Sequence, residues 1–136
     1  YRNEFNIYIT STENNTGLPS SSLISQVQAK IDHDDNRSPN DVITVLSPTP
    51  VNVDVTVLIT TYDTAYNLTD LKDSVKQNVT DFINGLTTGQ DVYIVDIQNA
   101  VHDTNGVIDF SILTPTANTS ISNNQKALSG TITITS

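Results

Sequence analysis

The longest hydrophobic pattern in the chain is a strict alternation between residues 51 and 61. Apolar side chains occupy every second position there, namely Val51, Val53, Val55, Val57 and Ile59. Because successive side chains of a strand point to opposite faces, these five form one apolar ridge, while Asn52, Asp54, Thr56 and Thr60 face the other way. The pattern predicts a long strand of an antiparallel sheet with one packed face and one wet face.

Two other stretches have the spacing of amphipathic helices that would lie on this sheet. The first is expected to begin at Ser20 or Ser21, and its apolar residues are Leu23, Ile24, Val27 and Ile31. The second has Thr69 as a candidate cap, is expected to end near Gly85 or Gly89, and carries Leu71, Val75, Val79, Phe82, Ile83 and Leu86. The segment from 92 to 101 fits a short helix or a short strand, and we favour a short helix closed by Asn105 and Gly106.

Shorter alternating runs predict the remaining strands. They are residues 5–9, 42–46 and 107–113, the last with Ile108, Phe110 and Ile112 on one face. Ser47-Pro48-Thr49-Pro50 separates the second strand from the central one, because proline cannot donate to a ladder. Residues 121–135 are interpreted as two short strands around a polar connection.

This order of elements predicts an α+β fold. We expect an antiparallel sheet with helices packed on one face, in the ferredoxin-like split βαββαβ order, followed by a C-terminal β-hairpin. Residues 1–113 would form an α+β sandwich-type domain, and residues 114–136 a β extension packed on or beside it.

Composition narrows the possible functions. The chain has 136 residues and no Met, so we expect it to be a domain excised from a longer protein. It has no Cys, which excludes disulfides, thiolate metal sites and a Cys nucleophile. Its net charge is -9, and its six basic residues form no run, which disfavours nucleic acid as a partner. No apolar run is long enough to predict a membrane span, so no membrane partner is expected.

Residues with metal-binding or catalytic potential occur without the rest of the motifs they need. Asp32, Asp34 and Asn36 have the spacing that begins a calcium loop, but Arg37 and Ile43 stand where the loop needs a Gly and a bidentate Glu. We therefore favour a solvated connector.

The two histidines, His33 and His102, accompany no nucleophile motif, although His102 is followed by Asp103. We predict no catalytic, cofactor-binding or metal-binding residues, no cofactor and no enzymatic activity.

The C-terminal alternation is the one candidate interaction site. Its residues are Thr131, Ile132, Thr133, Ile134 and Thr135. This stretch could close the domain's own sheet, or it could be an exposed edge to which a neighbouring chain adds a strand. We favour closure of the sheet, since terminal strands usually pair internally, and retain the five residues as a candidate partner-contact edge.

Several stretches, taken in order, resemble the C-terminal region of the baseplate J-like family of phage tail baseplate wedge proteins. The matching segments are Phe5 to Thr10, Gly17 to Ser20 with Leu23, Ile24 and Val27, Arg37 to Pro39, Val42 to Val45, Ser47 to Val55, Gly89 to Val92 with Ile97, Gly106 to Phe110 and Leu113 to Pro115. The sequence departs from the family pattern at Ser38, which separates the arginine and proline, and at Asn105, which stands where a proline often precedes the glycine.

The resemblance implies a structural component of a tail baseplate wedge, or of a related contractile injection machine, that acts through protein contacts in virion assembly. Its implied partners are other wedge and hub proteins and copies of itself, and its implied location is the virion tail baseplate, assembled in the host bacterial cytoplasm. The isolated chain is expected to be monomeric. The alternative is a ferredoxin-like ligand-binding or carbohydrate-binding module of a larger cell-surface protein.

Overall fold

The structure is a computed structural model that describes residues 3–32 and 41–136. In chain order its elements are β1 (Asn3–Tyr8), α1 (Ser21–Asp32), β2 (Asp41–Leu46), β3 (Thr49–Tyr62), α2 (Leu68–Asn84), α3 (Ile94–His102), β4 (Val107–Thr114) and β5 (Gln125–Thr135). The predicted α+β class is confirmed. All three predicted helices are present, including the one between residues 92 and 101 for which a strand was the alternative.

The larger layer is a three-stranded sheet in the order β4-β3-β5. The apolar ridge of β3 faces inward as predicted, with Val53, Val55, Val57 and Ile59 buried. The helix α2 covers it with the buried residues Leu71, Val75, Val79 and Ile83, and α3 adds Ile97 and Val101. The other face of β3 carries exposed Asn52, Asp54 and Thr60. One face is therefore packed against helices and the opposite face is polar.

The smaller layer is a β-α-β unit in which β1 and β2 pair in parallel, in register from Asn3↔Asp41 to Tyr8↔Leu46. Its crossover helix α1 has no fully buried residue. The side-chain amide of Gln28 on α1 donates to the carbonyl oxygen of Ile43 at 2.7 Å and accepts from the amide of Val45 at 2.7 Å. A side chain from α1 therefore occupies part of the backbone edge of β2.

Side-chain caps position the helices. The hydroxyl of Ser20 accepts from the amide of Leu23 at 3.1 Å, which starts α1 as the sequence predicts. The cap of α2 is Asn67, whose side chain accepts from the amides of Thr69 and Asp70, so the expectation that Thr69 is the cap was wrong. Asn118 accepts from the amide of Ile94 at 2.9 Å and so caps the short helix α3 from 24 residues away.

The strand pairing differs from the expected ferredoxin-like arrangement. The described strands form two sheets, and both β1 with β2 and β3 with β5 are parallel, whereas only β3 with β4 is antiparallel. Parallel neighbours need long crossover connections, and α1 provides one between β1 and β2. The prediction of a single antiparallel sheet was wrong because alternation sets which face is buried but not the direction of the neighbouring strand.

The C-terminal hairpin was also a wrong prediction. Residues 125 to 135 form one strand, β5, that runs alongside β3 from Thr49↔Gln125 to Leu58↔Thr135, with a register shift between Val53 and Val55. Ile121, which was assigned to the first arm of the hairpin, is buried outside any strand. The segment from 114 to 136 therefore supplies a strand to the three-stranded sheet.

Candidate functional site

The outer edge of β5 is divided into two unlike halves. In the first half, each alternate residue has at least one of its outward backbone groups bonded. The carbonyl oxygen of Gln125 accepts from the amide of Gly89 at 2.8 Å, that of Ala127 accepts from the Lys126 ammonium at 3.2 Å, and the amide of Ser129 donates to Asn84 Oδ1 at 2.8 Å. Because every second residue of a strand turns its amide and carbonyl to the same side, these contacts close this part of the edge.

Lys126 is the centre of the closed half. Its side chain is only 1% exposed, and Nζ donates to the carbonyl oxygen of Asn84, the last residue of α2, at 2.7 Å. A cation at this position stabilises the negative end of the helix dipole. Burial lowers the pKa of Lys126 because it removes water from the charged form.

A loop from the smaller layer covers the same lysine. Gly17 has a φ of 75°, and a methyl group built there would lie 2.7 Å from Lys126 Cε. The amide of Ser11 donates to the Gly17 carbonyl at 2.8 Å, and the side chain of Asn14 accepts from the amide of Thr16 at 3.0 Å, which shapes the loop. The contact of Gly17 with Lys126 therefore joins the two layers.

The second half of the β5 edge begins after a bulge. Asp54 Oδ1, on the polar face of β3, accepts from the amide of Thr131 at 2.8 Å, and the register then continues as Val55↔Ile132 and Val57↔Ile134. Ser129, the partner of Val53, turns its backbone amide away from β3. After the bulge, Ile132 and Ile134 hold the equivalent places opposite Val55 and Val57, so their backbone groups also point outward. Within residues 3–32 and 41–136, no hydrogen bond reaches these outward groups.

A groove runs beside this unbonded half. It has a volume of about 310 Å³ and is lined by Thr69, Lys72, Asp73 and Lys76 of α2 and by Ile132, Thr133 and Ile134 of β5. Lys72 is half-buried and Lys76 is exposed. The groove therefore combines two ammonium side chains with the free backbone of a strand.

The other edge of the same sheet is irregular. Pairing of β4 with β3 shifts register at three places, and Ile108 and Leu113, which fall at two of them, are 61% and 48% exposed. The expectation that Ile108 shares the packed face with Phe110 and Ile112 was therefore wrong, because a bulge turns it outward. Bulges make an edge a poor template for another strand.

The residues with catalytic or metal-binding potential are not brought together. Asp34, Asn36, Arg37 and His33 lie outside the described residues, and Asp32 accepts a hydrogen bond from Gln28 at 3.0 Å. His102 and Asp103 are both exposed at the end of α3. Within the described part of the chain, no three His, Cys, Asp or Glu side chains are placed to hold a metal ion, and no helix is long and apolar enough to cross a membrane.

Sequence reasoning found the β5 alternation but missed the residues around it. Lys126 precedes Ala127 and Leu128 in a strand, and a lysine next to two apolar residues is the only local sign that it is not an ordinary surface residue. Lys72 and Lys76 are four positions apart on a predicted helix, so their common face could have been inferred, but not its position beside β5.

The chain is thus a small α+β domain with a helix-covered sheet and a partly open strand edge. Comparison with family models places it more narrowly. The model of the Baseplate J-like protein C-terminal domain matches residues 51–135, which span β3 to β5, and the chain belongs to this family. It is thus a structural component of a phage tail baseplate, as the resemblance indicated. No curated protein matches the chain.

Proposed function

We propose that this chain is part of a baseplate wedge, in a phage tail or a related contractile injection machine, and works through protein contacts in virion assembly without catalysing a reaction. Its partners are other wedge and hub proteins and further copies of the parent protein, and assembly takes place in the host bacterial cytoplasm. The isolated chain is a monomer. The observation that carries the proposal is the family match over residues 51–135.

The contact surface in this proposal is the second half of the β5 edge, Thr131 to Thr135. Thr131 and Thr133 are exposed, whereas Ile132 is buried, so β5 is anchored through its apolar face while its backbone edge stays open. A strand added there would gain ladder hydrogen bonds from groups that are already held in extended geometry. No comparison supports the alternative of a carbohydrate-binding or ligand-binding module.

Site-specific photo-crosslinking in assembled particles tests the proposal. A p-benzoylphenylalanine at Thr133 should cross-link to a second protein of the baseplate, because that side chain lies beside the open edge. The same probe at Ser25, exposed on α1, controls for the reactivity of a probe elsewhere on the surface.

Mass spectrometry of the cross-linked species identifies the partner. Cross-links from Thr133 to baseplate proteins support the proposed contact, and cross-links to proteins of the capsid or tail tube would contradict the wedge assignment. A Thr133 probe that reacts with nothing, in particles that contain the protein, would remove the β5 edge from the proposal but leave the family assignment unaffected.

A further inference from the structure

The groove beside the open edge is basic in a chain that is strongly acidic. The chain carries 15 acidic and six basic residues, yet two of the six, Lys72 and Lys76, line this one groove. They lie one turn apart on α2, so their Cβ atoms are about 5–6 Å apart on the same face of the helix. The carboxylate of Asp73, which also lines the groove, offsets only one of these two ammonium groups, so a negatively charged ligand is favoured here.

The position of an added strand follows from sheet geometry. It would lie about 4.8 Å outside β5, with side chains alternating between the two faces of the sheet. Ile132 and Ile134 face the helix layer, and the side chains of the new strand on that face would meet α2 where Thr69, Lys72 and Lys76 line the groove.

The spacing of the two lysines matches the period of a strand. Residues i and i+2 of a strand lie roughly 6.6–6.8 Å apart on the same face, close to the separation of Lys72 and Lys76. Two acidic side chains at alternate positions would each reach one ammonium group. An acidic pair at adjacent positions would place one carboxylate on the far, polar face of the sheet.

We infer that the edge at Ile132 and Ile134 accepts an extended segment of a partner protein that carries Asp or Glu at two alternate positions. This inference rests on the proposed role of the β5 edge and adds the chemistry of its partner. None of the strands in the described part of the chain has two acidic residues at alternate positions, so the expected occupant is a different protein and not a strand of a second copy.

Binding of short peptides to the isolated chain tests the inference. The probes are Thr-Val-Asp-Val-Asp-Val-Thr and two variants in which both Asp residues are replaced by Asn or by Lys. The acidic peptide should bind roughly tenfold more tightly than the Asn peptide, because two exposed ion pairs form, and the Lys peptide should bind most weakly. Nuclear magnetic resonance follows binding through the backbone amides of Ile132 and Ile134, which should shift and become protected from exchange.

Charge variants locate the effect. The double variant Lys72→Gln, Lys76→Gln should bind the acidic and Asn peptides equally, whereas Lys30→Gln, which makes the same kind of change on α1, should leave the preference intact. Asp73→Asn removes the carboxylate that lines the groove and should tighten binding of the acidic peptide. All four substitutions are of side chains outside the core, so the fold is preserved.

The possible outcomes distinguish a failure of this inference from a failure of the proposed role of the β5 edge. Equal binding of the acidic and Asn peptides at Ile132 and Ile134 would support the open edge but overturn its acidic partner. If the peptides shift the amide resonances of other residues only, or of none, both strand addition at β5 and this inference are overturned. The baseplate assignment is tested separately, by the cross-linking experiment. Concentration-dependent shifts of these amides without peptide would identify a second copy as the occupant and would also overturn the inference.

Discussion

At the scale of single residues, the joint between the two layers depends on a glycine and a lysine. Gly17 needs the left-handed backbone conformation, and its missing side chain lets the loop approach Lys126 Cε, while Lys126 is held by the carbonyl oxygens of Asn84 and Ala127. The lysine cannot move away freely because it is buried and its ammonium group donates two hydrogen bonds. Two chemically ordinary residues therefore fix how the loop between β1 and α1 meets the end of α2.

The substitution Gly17→Ala should destabilise the protein by about 2–3 kcal/mol, since it adds left-handed backbone strain of about 1 kcal/mol to the displacement of a buried side chain. Gly89→Ala is the matched control. Gly89 also has a positive φ, of 79°, but the nearest atom to its added methyl group would be 3.5 Å away. The substitution therefore adds backbone strain without displacing a neighbouring side chain. Urea unfolding measures both changes, and equal losses for the two variants would show that Lys126 yields without resistance.

At the scale of secondary structure, the protein protects some strand edges and leaves others open. Gln28 bonds the edge of β2, the loop after α2 and the Lys126 side chain bond the first half of β5, and bulges disrupt β4. Unprotected edges invite unspecific pairing, so native proteins cover or distort them. Among the described strands, the half-edge from Thr131 to Thr135 lacks both devices, as does the outer edge of β1, and it is distinguished as a contact surface by the groove with Lys72 and Lys76 beside it.

Gln28→Ala should open the edge of β2. The carbonyl of Ile43 and the amide of Val45 would lose their partner in a partly buried place, which should lower the free energy of unfolding by about 1–3 kcal/mol. The exposed edge should also promote self-association, which sedimentation velocity detects. Gln26→Ala is the control, because Gln26 is exposed on the same helix and bonds only the hydroxyl of Ser22, at 3.3 Å. Identical behaviour of the two variants would show that the Gln28 amide does not protect β2.

The elements themselves were largely predictable, because they depend on local periodicity. The ridge from Val53 to Ile59 and the inward face of α2 follow directly from apolar spacings of two and four. The direction of β5 was not predictable in this way, since it depends on the path of residues 115–124 around the sheet. The same holds for the site: Thr131 to Thr135 were recognisable as a strand. Lys126, which bonds the neighbouring part of the edge at Ala127, is held in place by Asn84, 42 residues away in sequence.

At the scale of the whole molecule, the two layers differ in how well they are packed. The layer of β3, β4, β5, α2 and α3 contains the main hydrophobic cluster. Among the described residues of the β1-α1-β2 layer, only Val45 belongs to the core, and the strand β1 exposes Phe5 and Ile7. The family match begins at Val51, at the start of the well-packed layer. The smaller layer therefore adjoins the matched domain as a less stable unit joined through Gly17 and Lys126.

Native-state hydrogen exchange should resolve this difference. The amides of α1 and β2 should exchange through an opening of lower free energy than those of β3 and α2, because opening the smaller layer exposes much less buried apolar surface. Val45→Ala should lower the free energies of both openings, because the smaller layer is also unfolded in the global opening, whereas Val75→Ala, deep under α2, should lower only the global one, each by about 2 kcal/mol. Because opening the smaller layer also lifts Gly17 from Lys126, Gly17→Ala should act on the first opening as Val45→Ala does. If all amides instead exchanged with one free energy, and both valine variants shifted it equally, the two layers would unfold as a single cooperative unit.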